Sequence, residues 1–213
     1  MDYLRRAGLM GIKREYTLGR DFFRSRLLKL FVAIYILMIL ISAVAMVVMK
    51  AYPNMALDHI KSFMQSAEGT IVIDGKISML GLFFNNLKAS FMGMVLGLIP
   101  FFFLPIFVVL VNSGMTGAVL AFAQTKGISV ATVFWGIVPH GIFEISALVL
   151  SVVLGVFFCL NTSRNILASQ NGIPFVECLK NIARVFALFV VPLLIIAAAV
   201  ETYITPLVIG HFL

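Results

Sequence analysis

The sequence contains few charged residues, few cysteines and few histidines. Asp, Glu, Lys and Arg make up 12% of its 213 residues, hydrophobic residues make up 62%, and the mean hydropathy is +1.08. Soluble domains are about a quarter charged and about half apolar, so this composition excludes a water-soluble globular fold. The two cysteines are too few for a disulfide framework, and no Cys-x-x-Cys spacing indicates a zinc finger or a redox pair. We therefore expect an integral membrane protein whose surroundings are the lipid bilayer.

Positive charge is concentrated at the start of the chain. The net charge is +7, and eight of the sixteen Lys and Arg residues precede residue 30. Basic segments next to apolar runs remain on the cytoplasmic side, where they face anionic lipids. Residues 1–29 are therefore predicted to be a basic cytoplasmic N-terminus, and no nucleic-acid partner is expected.

Charge-free runs predict the membrane crossings. Residues 30–49 are long enough to cross a hydrocarbon core of about 30 Å as one helix. Ala43-Val44-Ala45 imitates a signal-peptide cleavage site, but the basic region is too long for a signal and the apolar run continues past the site. The run over 89–125 is too long for a single helix and must break. Crossings are predicted at 30–49, about 82–104, about 106–124, 141–160 and 185–203.

The charges also predict the orientation. Residues 161–184 contain Arg164, Lys180 and Arg184 and are expected to be cytoplasmic like the N-terminus. An even number of crossings then lies between the two segments. The crossing at 185–203 follows the second segment and places the C-terminus outside. Residues 50–80 become extracytoplasmic, with a short helix around 55–67 followed by a hairpin. The prediction is a single all-α integral membrane domain over 1–213, a polytopic bundle of about five helices in the cell membrane. A rival topology has one pass in 89–125 and another at 127–139.

Several residues predict helix breaks or close helix packing. Proline, glycine and asparagine inside the apolar runs are the expected break points, and a break at membrane depth requires protein or water to satisfy the backbone. These residues are Pro100, Pro105, Asn112-Ser113-Gly114 and Pro139. Gly93-x-x-x-Gly97 is a helix-packing motif. Its partner helix is expected in the same chain, and a homo-oligomer stays open.

Polar residues converge on the predicted outer side. His140 and Glu144 are four apart and share one helix face at the outer end of the fourth helix, and Glu201 ends the fifth. Asn85 and Asn86 begin the second. Ionisable groups are costly in hydrocarbon and face a partner. One imidazole and two carboxylates can bind zinc or a similar divalent ion and leave a position for water. A structural His–Glu hydrogen bond and a proton or substrate relay are the alternatives.

Five motifs occur in a recognisable order. They are Phe84-Asn85-Asn86, the segment with Gly97 and Pro100, Asn112-Ser113-Gly114 with Gly117, Pro139-His140-Gly141-Ile142-Phe143-Glu144, and Glu201-Thr202-Tyr203-Ile204-Thr205-Pro206. The pattern resembles the stage II sporulation protein M family of polytopic membrane proteins over roughly residues 10 to 210. In endospore formers, the resemblance implies action with the stage II sporulation proteins D and P, which degrade peptidoglycan during engulfment and which the M protein localises. Members also occur in bacteria that do not sporulate and in archaea.

Three functions follow from these observations. The leading one is a membrane anchor and partner subunit of an envelope-remodelling complex, without enzymatic activity of its own. The second is a metal-dependent membrane enzyme, such as a hydrolase, that uses His140, Glu144 and Glu201. The third is a small transporter, because broken helices at the midplane are a known transport device.

Overall fold

The computed structural model describes residues 2–68, 70–73, 76–167 and 172–210, and these residues are almost entirely helical. The helices are α1 (Asp2–Phe22), α2 (Leu28–Ala51), α3 (Pro53–Ala67), α4 (Met79–Val95), α5 (Pro105–Thr125), α6 (Val130–Ile166), α7 (Phe175–Val185), α8 (Val191–Ala199) and α9 (Thr205–Gly210). Two short strands, β1 (Val72–Ile73) and β2 (Lys76–Ile77), lie between α3 and α4. A 3₁₀ turn over Leu96–Leu98 extends α4.

Three π-helical turns keep the first and last parts of the chain continuous. Phe23–Leu27 joins α1 to α2, Phe186–Val190 joins α7 to α8, and Val200–Ile204 joins α8 to α9. Such wide turns inside α-helices often occur at functional sites. The end of the chain is thus one long helical rod, which we call the terminal rod (residues 175–210).

Within the described ranges, five helices are long and apolar enough to cross a membrane. They cover Met10–Ala51, Met79–Leu98, Pro105–Thr125, Trp135–Ile166 and Phe175–Val208. The prediction of an all-α polytopic membrane bundle is therefore confirmed. The helices start earlier than the predicted first, second, fourth and fifth crossings, and in the first and fifth the preceding polar residues are themselves helical.

Contacts at the two ends of the bundle agree with an even number of crossings between residues 29 and 161. At one end, Glu15 on α1 accepts a hydrogen bond from Arg184 on α7, with 2.5 Å between Oε2 and Nε. At the same end, the backbone N–H of Phe101 donates to Ser163 Oγ at 3.0 Å. At the other end, α3 packs against α5. Which end faces the cytoplasm stays a prediction from the positive charges, and residues 211–213 lie outside the described part.

Helix α6 forms the centre of the bundle. Val149, Val152 and Leu154 are fully buried and belong to the main hydrophobic cluster. A Cβ atom on Gly97 would overlap the carbonyl oxygen of Gly155 on α6. The Gly93-x-x-x-Gly97 motif therefore lets α4 approach α6 at backbone distance, within the same chain.

The predicted break at Asn112-Ser113-Gly114 is wrong. Helix α5 passes through these residues without interruption. Asn112 Nδ2 donates to the Val108 carbonyl at 2.8 Å, and Ser113 Oγ donates to the Met38 carbonyl of α2 at 3.3 Å. These polar side chains form their hydrogen bonds inside the bundle, so the helix does not have to break to satisfy them. The long apolar run breaks instead over residues 99–104, beside the predicted Pro100 and Pro105, where Phe101 and Phe103 have φ values of 71° and 50°.

The predicted break at Pro139 is also wrong, and so is the rival pass at 127–139. Helix α6 runs from Val130 to Ile166 with Pro139 inside it. Proline removes one backbone donor, whereas a full break in hydrocarbon would expose several unpaired groups, so the continuous helix costs less. The fifth helix likewise continues past residue 203, the predicted end of its crossing, because the wide turn Val200–Ile204 leads directly into α9.

The segment between the first two spans matches its prediction. The expected short helix is α3, and the expected hairpin is the antiparallel pair β1–β2, with Val72 opposite Ile77 and Ile73 opposite Lys76. The predicted turn residues Asp74 and Gly75 lie outside the described residues.

Candidate functional site

A polar pocket lies among the membrane-spanning helices. Its volume is about 290 Å³, far more than the roughly 10–15 Å³ that one water molecule needs. Phe63 of α3 and Ile71 beside the hairpin contribute to its wall. Its polar lining consists of Asn85, Asn86, Asn112, Thr116, His140, Glu144 and Glu201. The structure thus brings together all five polar residues that the sequence analysis selected, and it adds Asn112 and Thr116.

The three ionisable side chains meet inside this pocket. His140 and Glu144 lie one turn apart on α6, and Glu201 comes from the wide turn of the terminal rod. One potential ligand atom from each residue lies within 4.8 Å of the other two. A cluster of one imidazole and two carboxylates is therefore formed by two helices that are far apart in sequence.

The cluster lies deeper than predicted. His140 was expected at the outer end of the fourth helix, but α6 begins ten residues earlier, about 15 Å away at 1.5 Å per residue. Glu201 was expected to end the fifth helix, but the terminal rod continues to Gly210. The cause is the continuity of both helices through their prolines. All three residues belong to segments that can span the membrane.

A threonine orients His140. His140 Nδ1 and Thr205 Oγ1 are 3.2 Å apart, and the Thr205 hydroxyl donates to the Val200 carbonyl at 3.3 Å. When the hydroxyl gives its single proton to Val200, its oxygen accepts from the Nδ1–H of the imidazole. The lone pair of His140 then lies on Nε2.

The two carboxylates have no such partner. In the described ranges, neither Glu144 nor Glu201 forms a hydrogen bond or an ion pair, and no Lys or Arg is among the pocket-lining residues. Nδ2 of Asn85 donates to Oδ1 of Asn86 at 3.4 Å. The hypothesis of a structural His140–Glu144 hydrogen bond is not supported, because the recorded bond of His140 goes to Thr205.

Sequence reasoning missed Thr205 and Lys88. The spacing Glu201-x-x-x-Thr205 puts both residues on one helix face and could have identified Thr205 as part of the cluster. Lys88 lies near the middle of the second span and is exposed on the bundle surface. Because Lys88 does not line the pocket, it is not placed to neutralise the carboxylates.

Comparison with known proteins identifies the family. The family model described as stage II sporulation protein M matches residues 30–206. The chain belongs to the stage II sporulation protein M family. The matched range contains α2 from residue 30 onward, α3 to α8 and the whole polar cluster. This family member is therefore a multi-pass membrane protein.

A second comparison gives one relative. The chain is 29% identical over 129 residues to an uncharacterized protein of the archaeon Methanocaldococcus jannaschii, and the alignment covers 61% of this chain and 71% of that protein. No solved structure matches the chain.

Proposed function

We propose that this chain is a membrane-embedded partner subunit that anchors peptidoglycan-remodelling proteins at the outer face of the cell membrane. Membership of the stage II sporulation protein M family supports this role, and the proposed partners are of the stage II sporulation protein D and P type. In this role the chain supplies position, and its partners supply the hydrolysis of peptidoglycan.

The observation that carries the proposal is the segment between the first two spans, residues 51–78, which we call the outer segment. Helix α3 is attached firmly to the bundle, because Ala56 is buried in a cluster with Met49, Ala118 and Ala121. Helix α3 also exposes large apolar side chains, namely Met55, Phe63 and Met64, and Phe63 borders the polar pocket. A rigidly held helix with an exposed apolar surface is suited to bind a protein partner at the membrane surface.

The positive charges support the orientation that this role requires. The basic N-terminus and residues 161–184 occur at the same end of the bundle, as shown by the pair Glu15–Arg184. If this end is cytoplasmic, the outer segment faces the peptidoglycan. The C-terminus is then also extracytoplasmic.

Site-specific photo-crosslinking in cells tests the docking role. Photoreactive residues at Asp58 and Glu68, both exposed on the outer segment, should capture extracytoplasmic proteins that remodel peptidoglycan. Matched positions at Glu177 and Lys180, exposed at the opposite end, serve as controls and should capture none of them. If these proteins were captured only from the control positions, the docking assignment would be wrong.

A metal-dependent hydrolase is the second candidate function, and one observation favours it. The polar pocket shares Met38, Thr116, Ile137, Gly141 and Ile145 with an adjoining apolar cavity of about 390 Å³ between α2, α5 and α6. An amphipathic lipid could place its polar group near the cluster and its apolar chain in this cavity. The transporter hypothesis loses its motivation, because α5 and α6 are unbroken where the midplane breaks were expected.

Substitution of the carboxylates separates the two candidates. Glu144→Gln and Glu201→Gln preserve side-chain size and remove the charges. An anchor carrying both changes still recruits its partners when it is folded. An enzyme carrying both changes assembles normally and loses turnover.

A further inference from the structure

We propose that His140, Glu144 and Glu201 bind one divalent cation, with zinc as the preferred ion, and that this ion links α6 to the terminal rod inside the membrane. The proposal concerns the pocket itself. It holds whether or not the outer segment recruits a partner, and its test measures metal binding alone.

The ligand set fits zinc in number and chemistry. Two carboxylates and one imidazole are three protein ligands, which is the arrangement of zinc sites that keep a fourth position open. The ligand atoms of a tetrahedral zinc ion lie roughly 3.4 Å apart for bonds of about 2.1 Å. The potential ligand atoms here lie within 4.8 Å of one another, so side-chain rotation closes the site without moving the helices. The cavity leaves room for water at the fourth position.

The unpartnered carboxylates are an independent indication of a cation. Two negative charges this close repel each other, and ionised groups in an apolar bundle require a counter-charge. Glu15 shows the contrast, since its carboxylate near the end of the bundle pairs with Arg184. The part of the chain that the structure describes places no basic side chain against Glu144 or Glu201. A divalent cation would satisfy both at once.

Thr205 prepares His140 for this ion. Metal-binding histidines usually donate their second N–H to an oxygen, which fixes the tautomer and the ring orientation. In the Nδ1–H tautomer, the hydroxyl of Thr205 accepts from Nδ1 and leaves the Nε2 lone pair free. Thr205 is therefore a positioning residue. The wide turn Val200–Ile204 brings Thr205 and Glu201 to the same side of the pocket.

Zinc binding by purified full-length protein tests the proposal. The protein is prepared in detergent without an affinity tag, stripped with a chelator, reloaded with Zn²⁺ and desalted, and its zinc content is measured by mass spectrometry. A competing chromophoric chelator gives the affinity. We expect one zinc per chain, and an affinity at least about 100-fold lower for Glu144→Gln, Glu201→Gln or His140→Ala. Glu68→Gln, an exposed acid on the outer segment, is the matched control and should bind zinc like the wild type.

Thr205 variants separate positioning from general stability. Thr205→Val keeps the size of the side chain and should lower the zinc affinity about 10- to 100-fold, as for other outer-shell partners. Thr205→Ser restores the hydroxyl and should restore the affinity. Thermal melting of each variant without metal shows whether the variant is folded. If His140→Ala does not fold, the zinc affinities of the isosteric variants Glu144→Gln, Glu201→Gln and Thr205→Val decide. Less than about 0.2 zinc per wild-type chain, or wild-type affinity in a folded Glu144→Gln variant, would overturn the proposal.

Discussion

At the scale of single residues, Glu144 is the side chain whose environment is hardest to explain without a ligand. It lies within a membrane-spanning helix, faces a second carboxylate and has no donor among the described residues. Acids at the surface of the outer segment, such as Glu68, are solvated and need no partner. The two glutamates therefore form a matched pair for mutation.

We expect Glu144→Ala to reduce stability far more than Glu68→Ala. The change at Glu144 removes a ligand and opens space beside Glu201. If zinc is bound at a free concentration of one hundred times Kd, the lost stabilisation is about 2.7 kcal/mol. Chemical unfolding in detergent with zinc present measures both variants. Equal losses of stability would contradict the account.

Two glycines give a second matched pair. A Cβ on Gly97 would overlap the backbone of α6, whereas a Cβ on Gly114 would meet no atom within 4 Å. Gly97→Ala should therefore destabilise the protein by about 1–3 kcal/mol or more through overpacking. Gly114→Ala should stabilise it by about 0.4–1 kcal/mol, because alanine is the better helix former. Unfolding curves of both variants decide, and a stable Gly97→Ala protein would refute the close contact of α4 with α6.

At the scale of helices, the sequence predicts well which helices exist and predicts poorly where a helix is continuous or broken. Runs of apolar residues predicted five spans, and the hairpin and α3 followed from turn signals. Pro139 and Asn112-Ser113-Gly114 misled the prediction, because local propensity treats such residues as breaks. In a bilayer the cost of unpaired backbone groups outweighs that propensity, and nearby helices supply partners such as the Met38 carbonyl.

Pro139→Ala tests this explanation. Helix α6 is already continuous, so alanine restores a backbone donor without changing the path of the chain. We expect equal or higher stability, and unchanged zinc affinity if the cluster keeps its geometry. Thermal melting and the chelator competition measure the two quantities. A marked loss of folded protein would mean that the helix requires a break or kink at this position.

The polar cluster was partly predictable for a related reason. The spacing of His140 and Glu144 placed them together, and the crossing number brought Glu201 to the same side. The spacing of Glu201 and Thr205 could also have added Thr205 to the cluster, whereas the bond of Thr205 to His140 and the depth of the pocket depend on the wide turn Val200–Ile204. No simple sequence pattern specifies such a turn, and the terminal rod contacts α6 on both sides of it.

At the scale of the whole molecule, the two ends of the bundle have different chemistry. One end carries the basic N-terminal helix, held to the terminal rod by the Glu15–Arg184 pair and by stacking of Tyr16 on Phe189 at 5.2 Å between ring centroids. The other end carries the outer segment, whose residues Phe63 and Ile71 wall the polar pocket. The anchoring role requires the second end to face the outside, so the orientation is the central claim.

Cysteine accessibility in intact cells tests that claim most directly. Cys159 and Cys178, both buried, are first replaced by serine, and single cysteines are introduced as Glu68→Cys or Lys180→Cys. A membrane-impermeant maleimide should label the Glu68→Cys protein in intact cells and the Lys180→Cys protein only after permeabilisation. Labelling of the Lys180→Cys protein in intact cells, with the Glu68→Cys protein protected until permeabilisation, would contradict the account.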